Sequence, residues 1–391
     1  MTLNVAWHRG GTTASDSKRA VASARSSDWI LWAFVLSLCL LGIVLVTAAT
    51  RPLNPRHPFG FAEKDVLNLV IGLGIAALAT VLEYRAVRAL APAMYVLACL
   101  GLAATFVIGT TVNGSLSWIA IGGGFEIQPS EFAKIAVIVA VATLFSARRE
   151  GHTAPRDSDV IKGLLILAVP MLMIVLEPDI GNALVLTAIT FGVLAVGPVP
   201  TRWLIALTAG LIGGIVLVVN GHILHSYQQQ RLTSFTHPNA GRTTIGFNAY
   251  EARLAIGSGG IHGTGLFHGA LINAGLVFAA HTDFVFATAG EELGFLGCAL
   301  IIALLSGVLW RGWRIAANAP DRFGRIVATG VVCWFAFESF ENIGMNLGIM
   351  PITGIPLPFV SYGGSSMFAN MLAVGLLQNV HIHSNKTRSG A

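Results

Sequence analysis

Residues 29–50 read WILWAFVLSLCLLGIVLVTAAT and carry no charged side chain. A helix that crosses the hydrocarbon core of a bilayer needs about 20 predominantly apolar residues, so this segment predicts a membrane span. Residues 89–125, 180–201 and 293–310 are also free of charge. No segment alternates apolar and polar residues over about ten positions, as the strands of a membrane β-barrel do. The sequence therefore predicts an all-α, polytopic integral membrane protein.

The overall composition agrees with a membrane protein. Hydrophobic residues make up 54% of the 391 positions and charged residues 11%, whereas soluble domains carry about 25% charged residues. The net charge of +5 follows from the distribution of Lys and Arg around the spans and does not indicate nucleic-acid binding. The cysteines lie in apolar runs without metal-ligand spacing, so we expect small core side chains and no disulfide. They are Cys39, Cys99, Cys298 and Cys333.

The apolar runs predict about ten spans. Cytoplasmic segments of membrane proteins are enriched in Lys and Arg, and with the N-terminus inside most of the 24 Lys and Arg residues fall on the cytoplasmic side. An even number of spans then places both termini in the cytoplasm. The spans are predicted near residues 30–49, 66–83, 93–111, 130–147, 162–177, 181–198, 203–220, 284–310, 325–345 and 366–383.

The chain divides into a membrane domain and two short tails. Residues 1–28 are polar and rich in Ser, Arg and Lys, which predicts a disordered cytoplasmic tail. The apolar run that follows is longer than the 7–15 or so residues of a signal-peptide core, so we expect it to remain as an anchor. The membrane domain then covers residues 29–383, and residues 384–391 form a second cytoplasmic tail.

Two outer segments differ from ordinary loops. Residues 221–283, between the seventh and eighth spans, form one large extracytoplasmic loop that is rich in Gly, aromatic and apolar residues. Loops longer than about 15 residues are usually functional or disordered, and we expect this one to re-enter the outer leaflet or to lie along it. Residues 348–365 contain three prolines and several glycines, which forbid a continuous helix.

Ionisable side chains cluster toward the outer face, where each is a functional candidate because a charge in a membrane is costly unless it is paired. The run 128–134 reads QPSEFAK. Pro129 suits the first turn of a helix, so Lys134 lies about one and a half turns inside, where a cation opposes the helix dipole. Lys134 therefore needs an anionic partner, which is either a carboxylate, such as Glu131 or one from another span, or an anionic substrate.

Carboxylates occur at two further outer turns. Glu177 and Asp179 flank a proline between spans five and six, and Asp179 can also cap the next helix. Asp283 follows His281 at the start of span eight, where an Asp is ordinarily a helix cap. Glu291 lies about 12 Å further along that span than Asp283, so Glu291 and Glu292 are expected to neutralise cations or to bind polar groups. Another polar set is expected to form a seam between helices; it comprises Glu338, Glu341, Asn342 and Asn346.

Six motifs in order along the chain resemble the SEDS family of shape, elongation, division and sporulation proteins, which includes RodA, FtsW and SpoVE. They are QPSEFAK (128–134), EPDIG (177–181), YQQQR (227–231), AIGSGG (255–260), HTDFVFATAGEELGF (281–295) and ENIGMNLGIMPITGIPLPFVSYGGSS (341–366). The resemblance extends from about residue 30 to residue 383. Members of this family have ten spans, which agrees with the number read from hydropathy.

The resemblance implies a peptidoglycan glycosyltransferase that polymerises lipid II into glycan strands at the outer face of the bacterial cytoplasmic membrane. It implies a class B penicillin-binding protein, a transpeptidase, as partner, and Asp283 as the catalytic residue, which can deprotonate the 4-hydroxyl of the acceptor sugar. Lys134, Arg231 and Arg242 are the outer cations expected to stabilise the leaving group. No cofactor is required with certainty, and a divalent cation, Mg or Mn, stays open. The other substrate-binding candidates are Gln128, Glu131, Trp118, Glu177, Asp179, His281, Ser361 and Tyr362.

The sequence departs from the family pattern at two places. Ser117 stands before Trp118 where many members have Arg, and residues 278–280 read FAA where a Pro-Glu pair is often found. An outer cation expected from the resemblance is therefore missing at this position. The run GIPLP (354–358) is similar to RodA, whereas Glu177-Pro-Asp179 is closer to FtsW. We favour RodA-like elongation over FtsW-like division.

Two other functions fit a polytopic protein with buried charges. A lipid II flippase should show internal symmetry or charges at mid-depth in both halves, and neither is visible here. A non-catalytic scaffold for the penicillin-binding protein would not require an outer aspartate together with outer cations.

Overall fold

The computed structural model describes residues 27–53, 55–112, 115–122, 125–147, 157–197, 199–220 and 245–389. The predicted tail at 1–26 and residues 221–244, the first part of the predicted large loop, lie outside these ranges. The helices of the described residues are α1 (Trp29–Thr50), α2 (Gly60–Val81), α3 (Tyr84–Ile108), α4 (Pro129–Ser146), α5 (Asp157–Leu176), α6 (Ile180–Val196), α7 (Thr201–Asn220), α8 (Ile245–Ser258), α9 (Ala270–Asn273), α10 (Val285–Asn318), α11 (Arg322–Leu347) and α12 (Gly364–Ser389).

Seven of these helices are long and apolar enough to cross a membrane: α1 to α5, α10 and α11. Helix α6 is also apolar but has only 17 residues. Large apolar side chains are exposed along α1, α2, α3 and α5, as expected for helices that face lipid. The chain is thus a mostly helical, multi-pass membrane protein, as the sequence predicts. The number of ten spans and the side on which each terminus lies stay predictions.

The structure corrects the all-helical prediction at one place. Strands β1 (Thr110–Val112), β2 (Ser115–Gly122) and β3 (Phe125–Ile127) form a small antiparallel sheet in the order β1-β2-β3. Thr110 pairs with Trp118, and Ala120 pairs with Glu126. The strands are short and uncharged over most of their length, so their hydropathy does not distinguish them from the preceding span. The predicted span therefore ends at residue 111, inside β1.

Several helices extend beyond the predicted spans. Helix α2 begins six residues before the predicted start at 66, and α12 continues past 383 through most of the predicted C-terminal tail. Hydropathy locates the apolar centre of a helix, whereas the hydrogen bonds continue into its polar ends. Asp28, the last residue of the predicted N-terminal tail, caps α1 through Leu31 N and pairs with Arg311 at 2.6 Å.

Two breaks shape the end of the bundle that holds the candidate residues. Helix α10 is interrupted at Gly294, whose φ of 67° and ψ of −161° are not helical. Between α11 and α12, residues 348–363 form no helix, and Val360 packs on Gly42 in the middle of α1. A Cβ on Gly42 would lie 2.6 Å from the carbonyl oxygen of Val360. The segment between α11 and α12 therefore reaches the middle of α1 and does not stay at the end of that helix.

Candidate functional site

Asp283 lies in the turn that precedes α10, and its backbone is fixed from α11. The carbonyl oxygen of Asp283 accepts hydrogen bonds from Asn342 Nδ2 at 2.8 Å and Asn346 Nδ2 at 3.1 Å. Asn346 Oδ1 also accepts from Ala287 N at 3.1 Å. The N-cap residue of α10 is Phe284, and no side chain caps the helix. The half-buried Asp283 side chain is therefore not the helix cap that its position in the sequence suggests.

The segment before α12 closes on the Asp283 turn from the other side. Ser361 Oγ donates to the carbonyl oxygen of Thr282 at 2.6 Å, and Tyr362 N donates to the carbonyl oxygen of His281 at 2.9 Å. A Cβ on Gly354, which has a φ of +77°, would lie 3.5 Å from Asp283 Oδ2. The predicted residues His281, Asp283, Ser361 and Tyr362 are thus brought together.

An aromatic cluster borders this turn. The Phe61 ring lies 5.2 Å from the His281 ring and 5.3 Å from the Tyr362 ring, in edge-to-face geometry. Burial lowers the pKa of His281, so its imidazole is favoured in the neutral form. Sequence patterns alone did not single out Phe61, because an aromatic residue at the start of an apolar helix is not distinctive.

A second group joins the Gln128 and Asp179 motifs. Gln128 Nε2 donates to Asp179 Oδ2 at 3.1 Å, and Gln128 N donates to Ser365 Oγ at 3.0 Å. Asp179 Oδ1 accepts from Asn182 N at 3.0 Å, so the predicted helix cap of α6 is confirmed. Distant segments therefore meet at one end of the bundle.

Glu177 is fully buried beside this group. Thr105 Oγ1 donates to Glu177 Oε1 at 2.6 Å, and Ser115 Oγ donates to the Glu177 carbonyl at 2.9 Å. Burial raises the pKa of Glu177 to about 7, with a further increase from the Asp179 charge. Ser117, which stands where many relatives of the predicted family have Arg, is buried and in contact with the Ser115 hydroxyl.

Lys134 lies in a buried ion cluster. Its Nζ is 2.8 Å from Glu131 Oε1 and 2.5 Å from Glu338 Oε1, and 4.7 Å from the centre of the Trp334 ring. Lys134 has no exposed surface. Of the partners that the sequence left open, the structure shows carboxylates, one from its own helix and one from another span. A role of Lys134 in substrate binding stays a prediction, and this geometry favours a structural role.

Glu291 and Glu292 hold a strap, residues 259–273, against α10. Glu291 Oε1 and Oε2 accept from Leu271 N at 2.8 Å and Ile272 N at 3.0 Å, and Glu292 Oε2 accepts from Phe267 N at 3.0 Å. This confirms that both carboxylates bind polar groups. Backbone bonds add to the contact near the Gly294 break, where Phe295 N donates to the Gly260 carbonyl at 2.9 Å.

The remaining candidates are placed less tightly. Trp118 is half-buried in β2, and Arg231 and Arg242 lie outside the described residues. Arg253 of α8 packs over Gly348 at the end of α11. Within the described ranges no three His, Cys, Asp or Glu side chains are grouped so that they can hold a metal ion.

Known proteins resemble this chain over most of its length. Residues 28–386 match the model of the FtsW/RodA/SpoVE family, described as cell cycle proteins. The chain is 32% identical to the probable peptidoglycan glycosyltransferase FtsW of Aliivibrio salmonicida, over 89% of this chain and 87% of the relative. It is 31% identical to the peptidoglycan glycosyltransferase MrdB of Escherichia coli K12, over 88% and 92% of the two chains.

Solved structures show the same fold. A chain from a peptidoglycan synthase complex, studied for its coordination of polymerization and crosslinking, matches with a TM-score of 0.75 and 29% identity over 92% of this chain and 98% of that one. The rod shape determining protein RodA of Thermus thermophilus matches with a TM-score of 0.66 and 28% identity, over 91% and 96% of the two chains. The extent of these matches confirms the family that the six motifs predict: the chain belongs to the FtsW/RodA/SpoVE family.

Proposed function

We propose that this protein is a peptidoglycan glycosyltransferase that polymerises lipid II at the outer face of the bacterial cytoplasmic membrane, with Asp283 as general base. The names of its relatives support the activity. The observation that carries the proposal is the fixation of the 281–283 turn, in which Asn342 and Asn346 bind the Asp283 carbonyl and the Ser361–Tyr362 segment binds the two residues before it. A base must be held within reach of the proton that it removes.

The reaction is a single displacement. Asp283 takes the proton of the acceptor 4-hydroxyl while that oxygen attacks C1 of the donor sugar. The bond between C1 and the pyrophosphate oxygen breaks, and undecaprenyl pyrophosphate leaves with the bonding electrons. The α-linked donor thus gives a β-linked glycan, and no enzyme nucleophile is needed. Arg231 and Arg242 are proposed to stabilise the departing charge. When bound, a divalent cation such as Mg or Mn would stabilise the same departing charge.

Topology follows from the same proposal. Ten spans, with both termini in the cytoplasm, place the Asp283 end of the bundle on the outer side, where lipid II presents its sugars. The crosslinking activity in the complex that contains a structural relative supports a class B penicillin-binding protein as partner. The GIPLP run at 354–358 supports a role in elongation, although the relatives at 31–32% identity carry both FtsW and MrdB names.

One experiment tests the activity against its two alternatives. Purified protein is incubated with lipid II, with and without the transpeptidase partner, and glycan ladders are resolved on a gel. We expect polymer from the wild type and none from Asp283→Asn with an unchanged melting temperature. Normal polymer from that variant refutes the role of Asp283 as general base. Lipid II flipping without polymer in the wild type would establish the flippase instead, and stimulation of the transpeptidase alone would establish the scaffold.

A further inference from the structure

One face of α2 carries two buried polar side chains that the proposed reaction does not use. Phe61, Asp65, Asn68 and Gly72 are spaced three or four residues apart and therefore share one side of the helix. Asp65 and Asn68 are each 2% exposed. Within the described part of the chain, Oδ1 of Asp65 and Oδ1 of Asn68 have no hydrogen-bond partner. Buried acceptors without a donor are costly, so a partner supplied by a ligand would stabilise both.

This face lies directly beside the candidate active site. One turn before Asp65, Phe61 contacts the rings of His281 and Tyr362. Burial raises the pKa of the Tyr362 hydroxyl, and the charges of Asp65 and Glu126 raise it further. Through Phe61, this face of α2 borders the turn that holds Asp283.

The N-terminus of α12 forms the opposite wall. Asn68 Oδ1 lies 3.5 Å from the position of a Cβ on Gly364, the first residue of this helix. The first N–H groups of a helix have no partner inside it and carry a partial positive charge. Since Gly363 and Gly364 lack side chains, the backbone at the start of α12 comes close to the Asn68 side chain.

The two walls select a particular ligand chemistry. A metal ion is attracted by Asp65 but repelled by the positive end of α12, whereas a phosphate is attracted by the helix end and repelled by Asp65. A neutral group with both donors and acceptors, such as a sugar hydroxyl or an acetamido group, satisfies both walls. The Phe61 and Tyr362 rings add an apolar border against which the face of a sugar can pack.

We propose that Asp65 and Asn68, together with the N-terminus of α12, form a subsite for the hydroxyl and acetamido groups of an N-acetylated sugar next to Asp283. The proposal rests on the proposed glycosyltransferase function and names the part of the substrate that this face of α2 binds. Neither residue takes part in proton transfer. Their role is to hold one sugar of the lipid-linked substrate or of the growing glycan.

Binding and turnover are measured separately on the full chain in lipid nanodiscs. The binding probe is chitotetraose, a neutral chain of four N-acetylglucosamine units, titrated by calorimetry. We expect Asp65→Ala and Asn68→Ala to weaken binding about tenfold, the effect of losing one hydrogen bond to a buried polar group. The KM for lipid II should rise about tenfold while kcat changes less than about twofold. Glu63→Gln, an exposed carboxylate on the same helix, is the matched control and should change neither quantity.

The outcomes separate this subsite from the proposed function. Unchanged chitotetraose affinity and unchanged KM in both alanine variants, at the wild-type melting temperature, overturn the subsite. Stabilisation of the wild type, but not of Asp65→Asn, by NaCl or MgCl₂ also overturns it, because the ligand is then a cation. If an alanine variant does not fold, Asp65→Asn and Asn68→Ser provide the same comparison. If the protein binds chitotetraose in a way that depends on Asp65 but forms no polymer, the subsite is supported and only the glycosyltransferase function is refuted.

Discussion

Asn342 Nδ2 lies 2.8 Å from the backbone carbonyl oxygen of Asp283, across 59 positions of sequence. The same amide group donates to the Ile355 carbonyl at 2.8 Å. One buried side chain of α11 therefore ties the Asp283 turn to the segment that precedes α12. A carboxylate of the same shape could not donate to either carbonyl.

Asn342→Asp tests this connection with almost no change in shape. The carboxylate cannot donate, so the Ile355 carbonyl loses this donor, the Asp283 carbonyl keeps only its bond from Asn346, and both oxygens face a negative charge. We expect kcat for lipid II polymerisation to fall at least tenfold, which corresponds to about 1.4 kcal/mol, with a smaller change in KM. Asn318→Asp, an exposed change at the far end of α10, is the control. An Asn342→Asp variant with wild-type kcat would show that Asp283 is positioned by other contacts.

Glu291 is expected to matter through the strap. Its two oxygens hold Leu271 N and Ile272 N, and hydrogen bonds to a charged group contribute about 1.5–3 kcal/mol each. Glu291→Ala should therefore increase hydrogen exchange of the backbone amides of residues 263–273 at least tenfold. Glu291→Gln keeps one acceptor oxygen, and its effect should be intermediate. Equal exchange in wild type and Glu291→Ala would mean that Glu292 and the backbone bonds near Gly294 are enough to hold the strap.

The sequence predicts the local features of the candidate site better than it predicts the long-range contacts. The Asp179 cap, the polar role of Glu291 and the need of Lys134 for an anionic partner follow from helix geometry and from the cost of buried charge, so they were accessible without a structure. The link between Gln128 and Asp179 joins positions 51 residues apart, and no periodicity encodes it. The break at Gly294 was also missed, because a single glycine in an apolar run is compatible with a straight helix.

Lys134→Ala distinguishes a structural cation from one that binds substrate. Removal of Lys134 leaves Glu131 and Glu338 buried without a counter-charge, and breaking a buried ion pair costs about 3–5 kcal/mol. We expect a large loss of thermal stability and of folded yield.

The matched variant is Lys134→Met combined with Glu131→Gln and Glu338→Gln, which removes the charges together. We expect this triple variant to recover most of the stability, since replacing a whole buried ion cluster by uncharged side chains is often neutral. If it also polymerises lipid II, Lys134 is structural. A stable triple variant with no polymer would instead support contact between Lys134 and substrate.

Glu177 predicts how stability depends on pH. Burial raises the pKa of this carboxyl from 4.5 to about 7. Between these two pH values the folded protein keeps a proton that the unfolded chain has already released. The stability that Glu177 contributes is therefore fully present below about pH 4.5 and is lost as the pH rises through about 7. Glu177→Gln removes this titration and should reduce the fall in melting temperature between about pH 5 and pH 8. Glu63→Gln, at an exposed carboxyl, should retain the wild-type fall. An equal fall in wild type and Glu177→Gln would show that other groups set the pH dependence and that Glu177 is ionised in the folded protein.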